Sequence, residues 1–157
     1  QGNDCVTSDP LVCFAIVLSA LVHDVGHTGV PNAQVAEEDP QLAERYNHQS
    51  IAEQNSIDIA WECLMSKSLK HLQMCLFGSS ESEKKRLRQL LVNNVMATDI
   101  FDKDLRVLRQ KRWEKASSCS HAKKTVAMEH IMQTSDVAHT MQEWDIYREW
   151  YVCTFIS

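Results

Sequence analysis

The chain has 157 residues and a formal net charge of −5, with 44% hydrophobic and 24% charged residues. This length and composition favour one globular domain with its own core. The acidic balance argues against a nucleic-acid-binding protein, which would carry a basic face. No apolar run reaches the roughly 18–20 residues that cross a bilayer, so no membrane contact is expected from this segment. Six cysteines without a Cys-x-x-Cys pair indicate reduced thiols and a cytoplasmic location.

The first predicted helix begins at Asp9 and Pro10, after a leader of residues 1–8 that we expect to be disordered. Asp is a favoured N-cap residue, and Pro is favoured at the first helical position. Residues 11–22 are apolar except for one serine, which predicts a buried helix that continues to about Val25.

Residues 28–40 contain glycine and prolines and are predicted to form a loop. Helical periodicity then recurs in residues 41–62 (in one piece or two), 64–77, 80–98, 101–113 and 121–138, and a last helix is expected from about residue 142. No stretch alternates as a strand does, and glycine and proline are scarce. The sequence therefore predicts an all-α, multi-helix bundle.

His23 and Asp24 end the first apolar helix, which is an unusual place for an ionisable pair. Burying charged groups is costly unless something compensates, and a metal ion can do so because imidazole and carboxylate are good zinc ligands. His27 lies four residues after His23 and can converge on the same site. Gly26 and Gly29 allow the backbone to turn away there. An ordinary cap or a surface ion pair is the alternative interpretation.

Three later segments also place polar side chains where a bundle needs apolar ones: residues 46–53, 96–99 and 135–139. Asn47 and Ser50 can equally be helix caps, with residues 50–53 as a capping box. Thr98 and Asp99 can equally end one helix and start the next. Each segment alone is therefore a weak indication of function.

Together, and in this order, the four segments resemble the class I cyclic nucleotide phosphodiesterases. The metal signature of that family, His-Asp-x-x-His-x-Gly-x-x-Asn, is matched by His23, Asp24, His27, Gly29 and Asn32. Its Tyr-Asn-x-x-Ser-x-x-Glu block is matched by Tyr46, Asn47, Ser50 and Glu53. Its Ala-Thr-Asp block is matched by residues 97–99, and its late Asp by Asp136, with His139 following. The resemblance covers roughly residues 11–152.

The resemblance implies that residues 9–157 are part of a metal-dependent, all-α catalytic domain of the HD type. The implied reaction is hydrolysis of a 3′,5′-cyclic nucleotide, cAMP or cGMP, to the 5′-monophosphate in signal transduction. The implied cofactors are two divalent metals, zinc with magnesium or manganese. By position the ligands are His23, Asp24 and Asp136. The positions that act around them are His27, Glu53 and Thr98, the last two through metal-bound waters.

The ligand positions Asp24 and Asp136 are acidic residues on apolar helices with no basic residue beside them in the sequence. We therefore expect both to converge with His23 on one metal site, although they are 136 − 24 = 112 residues apart. Two cations that share a carboxylate generate a nucleophile from water near neutral pH and neutralise phosphate oxygens.

The chain also departs from the family. No histidine precedes His23, whereas the family places its general-acid His and a further metal-ligating His in an upstream block. The Gln that holds the purine in the family lies beyond residue 157. We therefore expect a fragment that is inactive alone, from a cytoplasmic or membrane-anchored parent that is compatible with a homodimer. The alternatives are another HD-type phosphohydrolase or a truncated, non-catalytic phosphodiesterase-like module.

Overall fold

The computed structural model describes residues 8–116 and 118–148, apart from the side chains of residues 120, 121 and 139. Its α-helices are α1 (Pro10–Val22), α2 (Asn32–Glu38), α3 (Pro40–Arg45), α4 (Ile51–Leu64), α5 (Lys70–Phe77), α6 (Glu81–Met96), α7 (Lys103–Ala116) and α8 (Ser120–Asp136). Two short 3₁₀ helices cover Lys67–Leu69 and Ala138–Met141, and residues 144–148 are helical. The described residues contain no strand, and the all-α prediction is confirmed.

The start of α1 is as the sequence predicts. The side chain of Asp9 accepts hydrogen bonds from the amides of Leu11 and Val12 at 3.0 and 3.4 Å. Of the predicted disordered leader, only Ser8 belongs to the described residues. The expectation of a helix buried all round is wrong, because Leu21 is 80% exposed. One face of α1 packs inward and the opposite face lies at the surface.

The core of the bundle lies between α1, α4 and α6. The fully buried apolar side chains of α6 repeat every four residues, as its amphipathic pattern predicts: Leu87, Leu91 and Val95. They pack with α1 and α4 in two apolar clusters. A buried polar contact joins the helices, because the Asn94 amide donates to Ser19 Oγ at 3.2 Å. These contacts fix the C-terminal end of α1 relative to α6.

The loop prediction for residues 28–40 is wrong, because α2 lies within it. Pro31 is extended (φ −61°, ψ 153°) and directs the chain into α2, whose only fully buried residue is Val35. A helix of two turns with one buried side chain has no periodicity to detect. The prediction of two helical pieces in residues 41–62 is supported by α3 and α4. They are separated by a turn in which three non-glycine residues have positive φ: Asn47, His48 and Ser50.

The turn after α1 depends on Gly26 and Gly29, with φ of +77° and +82°. A Cβ added to Gly26 would lie 2.8 Å from Ile59 Cδ1, whereas one added to Gly29 would meet nothing within 4 Å. Both alanine substitutions carry the strain of positive φ, about 1–2 kcal/mol. Only Gly26→Ala also requires the tip of Ile59, a flexible side chain that is 38% exposed, to move. We therefore expect it to lower the free energy of unfolding by about 0.5–1 kcal/mol more than Gly29→Ala. Urea denaturation of both variants measures the difference, and equal losses would contradict it.

Candidate metal centre

The candidate site lies where several helices end. His23 is the C-cap residue of α1 and Asp24 follows it, while Asp136 is the last residue of α8. Glu53 lies in the first turn of α4. Thr98 follows the C-terminus of α6. The sequence segments that interrupt the apolar periodicity are thus the helix ends that meet at one edge of the bundle.

The structure brings the three predicted ligands together. Nε2 of His23 lies 3.2 Å from Oδ1 of Asp136 and 3.3 Å from Oδ2 of Asp24. One donor atom from each residue can be chosen so that all three lie within 4.8 Å of one another. The expectation of buried carboxylates is wrong, because the side chains of Asp24 and Asp136 are 66% and 37% exposed. Helix ends at the edge of the bundle place them at the surface, facing a cleft.

The hydrogen bonds of His23 fix its ring orientation. Nδ1 lies 3.0 Å from the carbonyl oxygen of Ala20 and can donate a proton to it. Nε2 then faces the carboxylates of Asp136 and Asp24, which raise the pKa of His23 from 6.5 to about 10. The hydrogen bond from His23 also lowers the pKa of Asp24. Without a metal the imidazole is therefore protonated at neutral pH, and a cation must displace that proton.

The donor set fits a divalent metal. A tetrahedral ion with bonds of about 2.0–2.2 Å separates neighbouring ligand atoms by roughly 3.3–3.6 Å. The two distances from His23 Nε2, 3.2 and 3.3 Å, are close to that range. Metal-binding histidines typically donate their second ring N–H to a carbonyl or carboxylate, as His23 can to Ala20. Imidazole with two carboxylates is a ligand set that suits zinc and similar ions.

A cleft of about 550 Å³ opens beside this cluster. Its walls include five of the six site residues that the sequence predicts, all except His23: Asp24, His27, Glu53, Thr98 and Asp136. His23 is hydrogen-bonded to Asp136 on this wall. The cleft volume lies within the range of about 300–1,000 Å³ that is usual for small-molecule sites. The predicted residues thus lie around one cavity.

Asn32 has a role that its place in the signature did not reveal. Its Oδ1 accepts a hydrogen bond from the amide of Ala52 at 2.8 Å, and its Nδ2 donates to Oε2 of Glu53 at 2.9 Å. Asn32 therefore caps α4 from another element and orients Glu53. The capping-box interpretation of residues 50–53 is wrong, because the side chain of Ser50 makes no cap hydrogen bond. No signal within residues 46–53 indicates that the cap comes from 20 residues upstream.

His27 and Thr98 hold their positions through local hydrogen bonds. Nδ1 of His27 accepts from the amide of Gly29 at 2.9 Å, so the ring N–H that can donate to other groups is on Nε2. The hydroxyl of Thr98 donates to the carbonyl of Val95 at 2.8 Å, so its lone pairs remain available. The helix-boundary interpretation holds for Asp99, whose Oδ1 caps the amides of Phe101 and Asp102, both at 3.0 Å.

Sequence reasoning missed the position of Phe101. The helical periodicity of residues 101–113 predicted that Phe101 lies on the apolar face of a helix. In the structure it precedes α7, lines the cleft and is 85% exposed. The signal that could have found it is Asp99 two residues earlier, because Asp favours a turn that starts a new helix. The side chain of His139 and the predicted helix beyond residue 148 lie outside the described residues.

Burial raises the pKa of Glu53, and the hydrogen bond from Asn32 opposes that shift. A carboxyl whose pKa is higher in the folded chain stabilises the fold most at low pH and loses that contribution as pH rises through its folded value. We therefore expect Glu53→Gln to raise the melting temperature at pH 7, since the amide oxygen can still accept from Asn32. This increase in melting temperature should vanish near pH 4, where the carboxyl of Glu53 is protonated and resembles the neutral amide. A lower melting temperature at pH 7 would show that the ionised carboxylate stabilises the fold.

An all-helical bundle whose His-Asp-Asp cluster faces a cleft is a candidate metal-dependent hydrolase. A sequence profile of the 3′5′-cyclic nucleotide phosphodiesterase family matches residues 3–155, and the chain belongs to this family. Human dual specificity calcium/calmodulin-dependent 3′,5′-cyclic nucleotide phosphodiesterase 1C is 26% identical over 140 residues, which are 89% of this chain and 19% of that protein. The probable 3′,5′-cyclic phosphodiesterase pde-1 of Caenorhabditis elegans is also 26% identical over 140 residues, 89% of this chain and 20% of that protein.

Solved structures show the same fold. The phosphodiesterase domain of the rhodopsin phosphodiesterase of Salpingoeca rosetta superposes with a TM-score of 0.72 at 24% identity, covering 89% of this chain and 43% of that one. The chain spans about a fifth of the length of the curated relatives.

No helix among the described residues is long and apolar enough to cross a membrane. Of the six cysteines, the four that belong to the described residues form no disulfide.

Proposed function

We propose that residues 9–157 form part of a catalytic domain that hydrolyses a 3′,5′-cyclic nucleotide, cAMP or cGMP, to the 5′-monophosphate. The observation that carries this proposal is the cluster of His23, Asp24 and Asp136 at the wall of a cleft in a chain of this family. An isolated His-Asp pair would not support it, because such pairs are common at helix ends.

The proposed cofactors are zinc, held by His23, Asp24 and Asp136, and magnesium or manganese, which would share Asp24. When bound, such a pair supplies a nucleophile at neutral pH and neutralises phosphate charge. Two carboxylates against one imidazole give the cluster the negative charge that two cations need. No histidine that could serve as a fourth zinc ligand precedes His23 in the chain as given.

Three side chains around the cluster have donors and acceptors free to orient water in the cleft. The Glu53 carboxylate is fixed by Asn32 and can accept hydrogen bonds from water on its other lone pairs. Thr98 can accept through its hydroxyl oxygen, since its proton is given to Val95. His27 can donate from Nε2. Each of the three residues thus offers a hydrogen-bond donor or acceptor to water in the cleft.

The test begins with metal binding. The chain is freed of metal with a chelator and titrated with zinc by calorimetry in buffers of different ionisation enthalpy. We expect saturable zinc binding with release of a proton, because His23 must lose one. Zinc binding that survives alanine substitution of His23, Asp24 and Asp136 together would overturn the assignment of these ligands.

Turnover is measured with cAMP and cGMP, zinc and magnesium present, on this chain and on the longer chain where its coding sequence continues. We expect slow turnover by this chain, because it has no histidine upstream of His23 and acid–base catalysis contributes about 10²–10⁴-fold. A metal-loaded longer chain that hydrolyses neither nucleotide would favour a non-catalytic module. Hydrolysis of other phosphoesters alone would favour a different HD-type phosphohydrolase.

The cytoplasmic location and a homodimer of the parent protein belong to the same proposal. The described cysteines form no disulfide, which is compatible with a reducing compartment. Sedimentation of the longer chain tests the dimer.

A further inference from the structure

A second cavity, of about 280 Å³, lies between α7 and α8. Four residues of each helix line it: Arg106, Arg109, Gln110 and Trp113 of α7, and Val126, Glu129, His130 and Gln133 of α8. None of them lines the metal cleft. The cavity combines charged, hydrogen-bonding and aromatic groups, as ligand sites do.

The charge on the cavity wall is positive. Its one acidic residue, Glu129, is buried and forms an ion pair with Arg112. Burial also raises the pKa of Glu129, although nearby cations oppose the shift. Arg106 and Arg109 add two guanidinium groups to the wall, and only Arg109 is among the cations that act on Glu129. Arg106 is exposed, and its guanidinium has no hydrogen-bond or ion-pair partner within residues 8–116 and 118–148.

The apolar part of the wall is aromatic. Trp113 is 57% exposed, although its ring meets that of His130 edge to face, with centroids 5.3 Å apart. An exposed indole at the rim of a cavity offers a flat surface on which another planar ring can stack. The neighbouring guanidinium groups match the geometry of phosphate and carboxylate.

We propose that the cavity between α7 and α8 binds a small organic anion that carries an aromatic ring. Its phosphate or carboxylate contacts Arg106 and Arg109, and its ring packs on Trp113. This site does not depend on the metal centre or on the proposed hydrolysis.

The cavity is nevertheless connected to the cleft. Arg109 donates to the carbonyl of Asp99 at 3.0 Å, and Gln133 donates to the carbonyl of Ala97 at 2.9 Å. These carbonyls flank Thr98, which lines the metal cleft. An anion that engages Arg109 therefore acts on a side chain that holds the segment around Thr98.

The experiment uses phenyl phosphate as the probe, with chelator present so that no cation occupies the cleft. Nitrogen-15 NMR follows the indole N–H of Trp113 and the amides of residues 97–99. We expect saturable shifts at Trp113 and smaller shifts at residues 97–99. Inorganic phosphate lacks the aromatic ring of the probe, and phenol lacks its phosphate group. Each should bind at least about tenfold more weakly than phenyl phosphate, because phosphate loses the stacking contact and phenol loses the charge-assisted hydrogen bonds.

Arg106→Gln is the main variant and Lys111→Gln is its control. Both residues are exposed on α7 and both changes remove one positive charge, but Lys111 does not line the cavity. We expect Arg106→Gln to weaken phenyl phosphate binding by about tenfold and Lys111→Gln by less than about twofold. If both variants lost affinity for phenyl phosphate equally, the effect would come from net charge alone and the proposed site would be wrong. Shifts confined to the metal cleft, or no binding at millimolar probe, would overturn it as well.

Discussion

Asp136→Asn is expected to lower the zinc affinity of the chain by about 100-fold or more. Loss of a residue that only supports a ligand typically costs about 10–100-fold, and removal of a ligand charge should cost at least as much. Two carboxylates raise the pKa of His23, and the hydrogen bond to Asp136 makes the larger contribution. The pKa of His23 in the metal-free chain should therefore fall from about 10 in the variant.

Calorimetric zinc titration measures the first effect, and proton NMR of the imidazole measures the second. Asp145→Asn is the matched control, because Asp145 is exposed and does not line the cleft. Its zinc affinity should equal that of the unmodified chain within about twofold. If Asp136→Asn bound zinc as tightly as this control, Asp136 would not be a ligand.

The helices that could be predicted from the sequence are those whose caps and apolar periodicity lie within the helix itself. Asp9 and Pro10 start α1 through a cap and a fixed φ, which act over three residues. The four-residue repeat of Leu87, Leu91 and Val95 in α6 is likewise present in the sequence itself. Ser80 rather than Ser82 starts α6, because its Oγ accepts from the amide of Glu83. Periodicity and caps therefore predicted these helices and most of the core.

What could not be predicted depends on contacts between distant segments. Helix α2 was missed because one buried valine leaves no period, and its position depends on packing with α3 and α4. The exposure of Asp24 was missed because an apolar helix gives no indication that its C-terminal end lies at the edge of the bundle. The same reason applies to Phe101, whose direction is set by the turn at Asp99.

The candidate site was predicted through an ordered series of motifs rather than through physical signals alone. Those motifs placed Asp136 beside His23 across 113 positions, which no local rule could do. They did not show how Asn32 and Glu53 interact, because a motif records residue types and not hydrogen bonds. The role of Asn32 is therefore a finding of the structure, and its consequences can be measured.

Asn32→Ala is expected to lower the free energy of unfolding by about 2–5 kcal/mol, as the sum of two losses. The first loss is the cap on Ala52, and such caps contribute about 0.5–2 kcal/mol. The second is the donor to the carboxylate of Glu53, and hydrogen bonds to charged groups contribute about 1.5–3 kcal/mol. Urea denaturation at pH 7 measures the sum.

Asn32→Asp separates these two roles. The introduced carboxylate can still accept from the amide of Ala52, and a negative charge at the N-terminus of α4 is favourable. Its other oxygen replaces the donor that lies 2.9 Å from Oε2 of Glu53. Two carboxylates at that distance cannot both be ionised without a large penalty, so the pair retains a proton and its pKa rises.

A pKa that is raised in the folded chain makes stability fall as pH rises through it. At pH 5 the Asn32→Asp variant should therefore be nearly as stable as the unmodified chain, and by pH 8 it should approach Asn32→Ala. Denaturation of all three chains across that range gives the test. If Asn32→Asp matched the unmodified chain at every pH, Asn32 would act on α4 only as a cap. Glu53 would then owe its orientation to burial and not to this hydrogen bond.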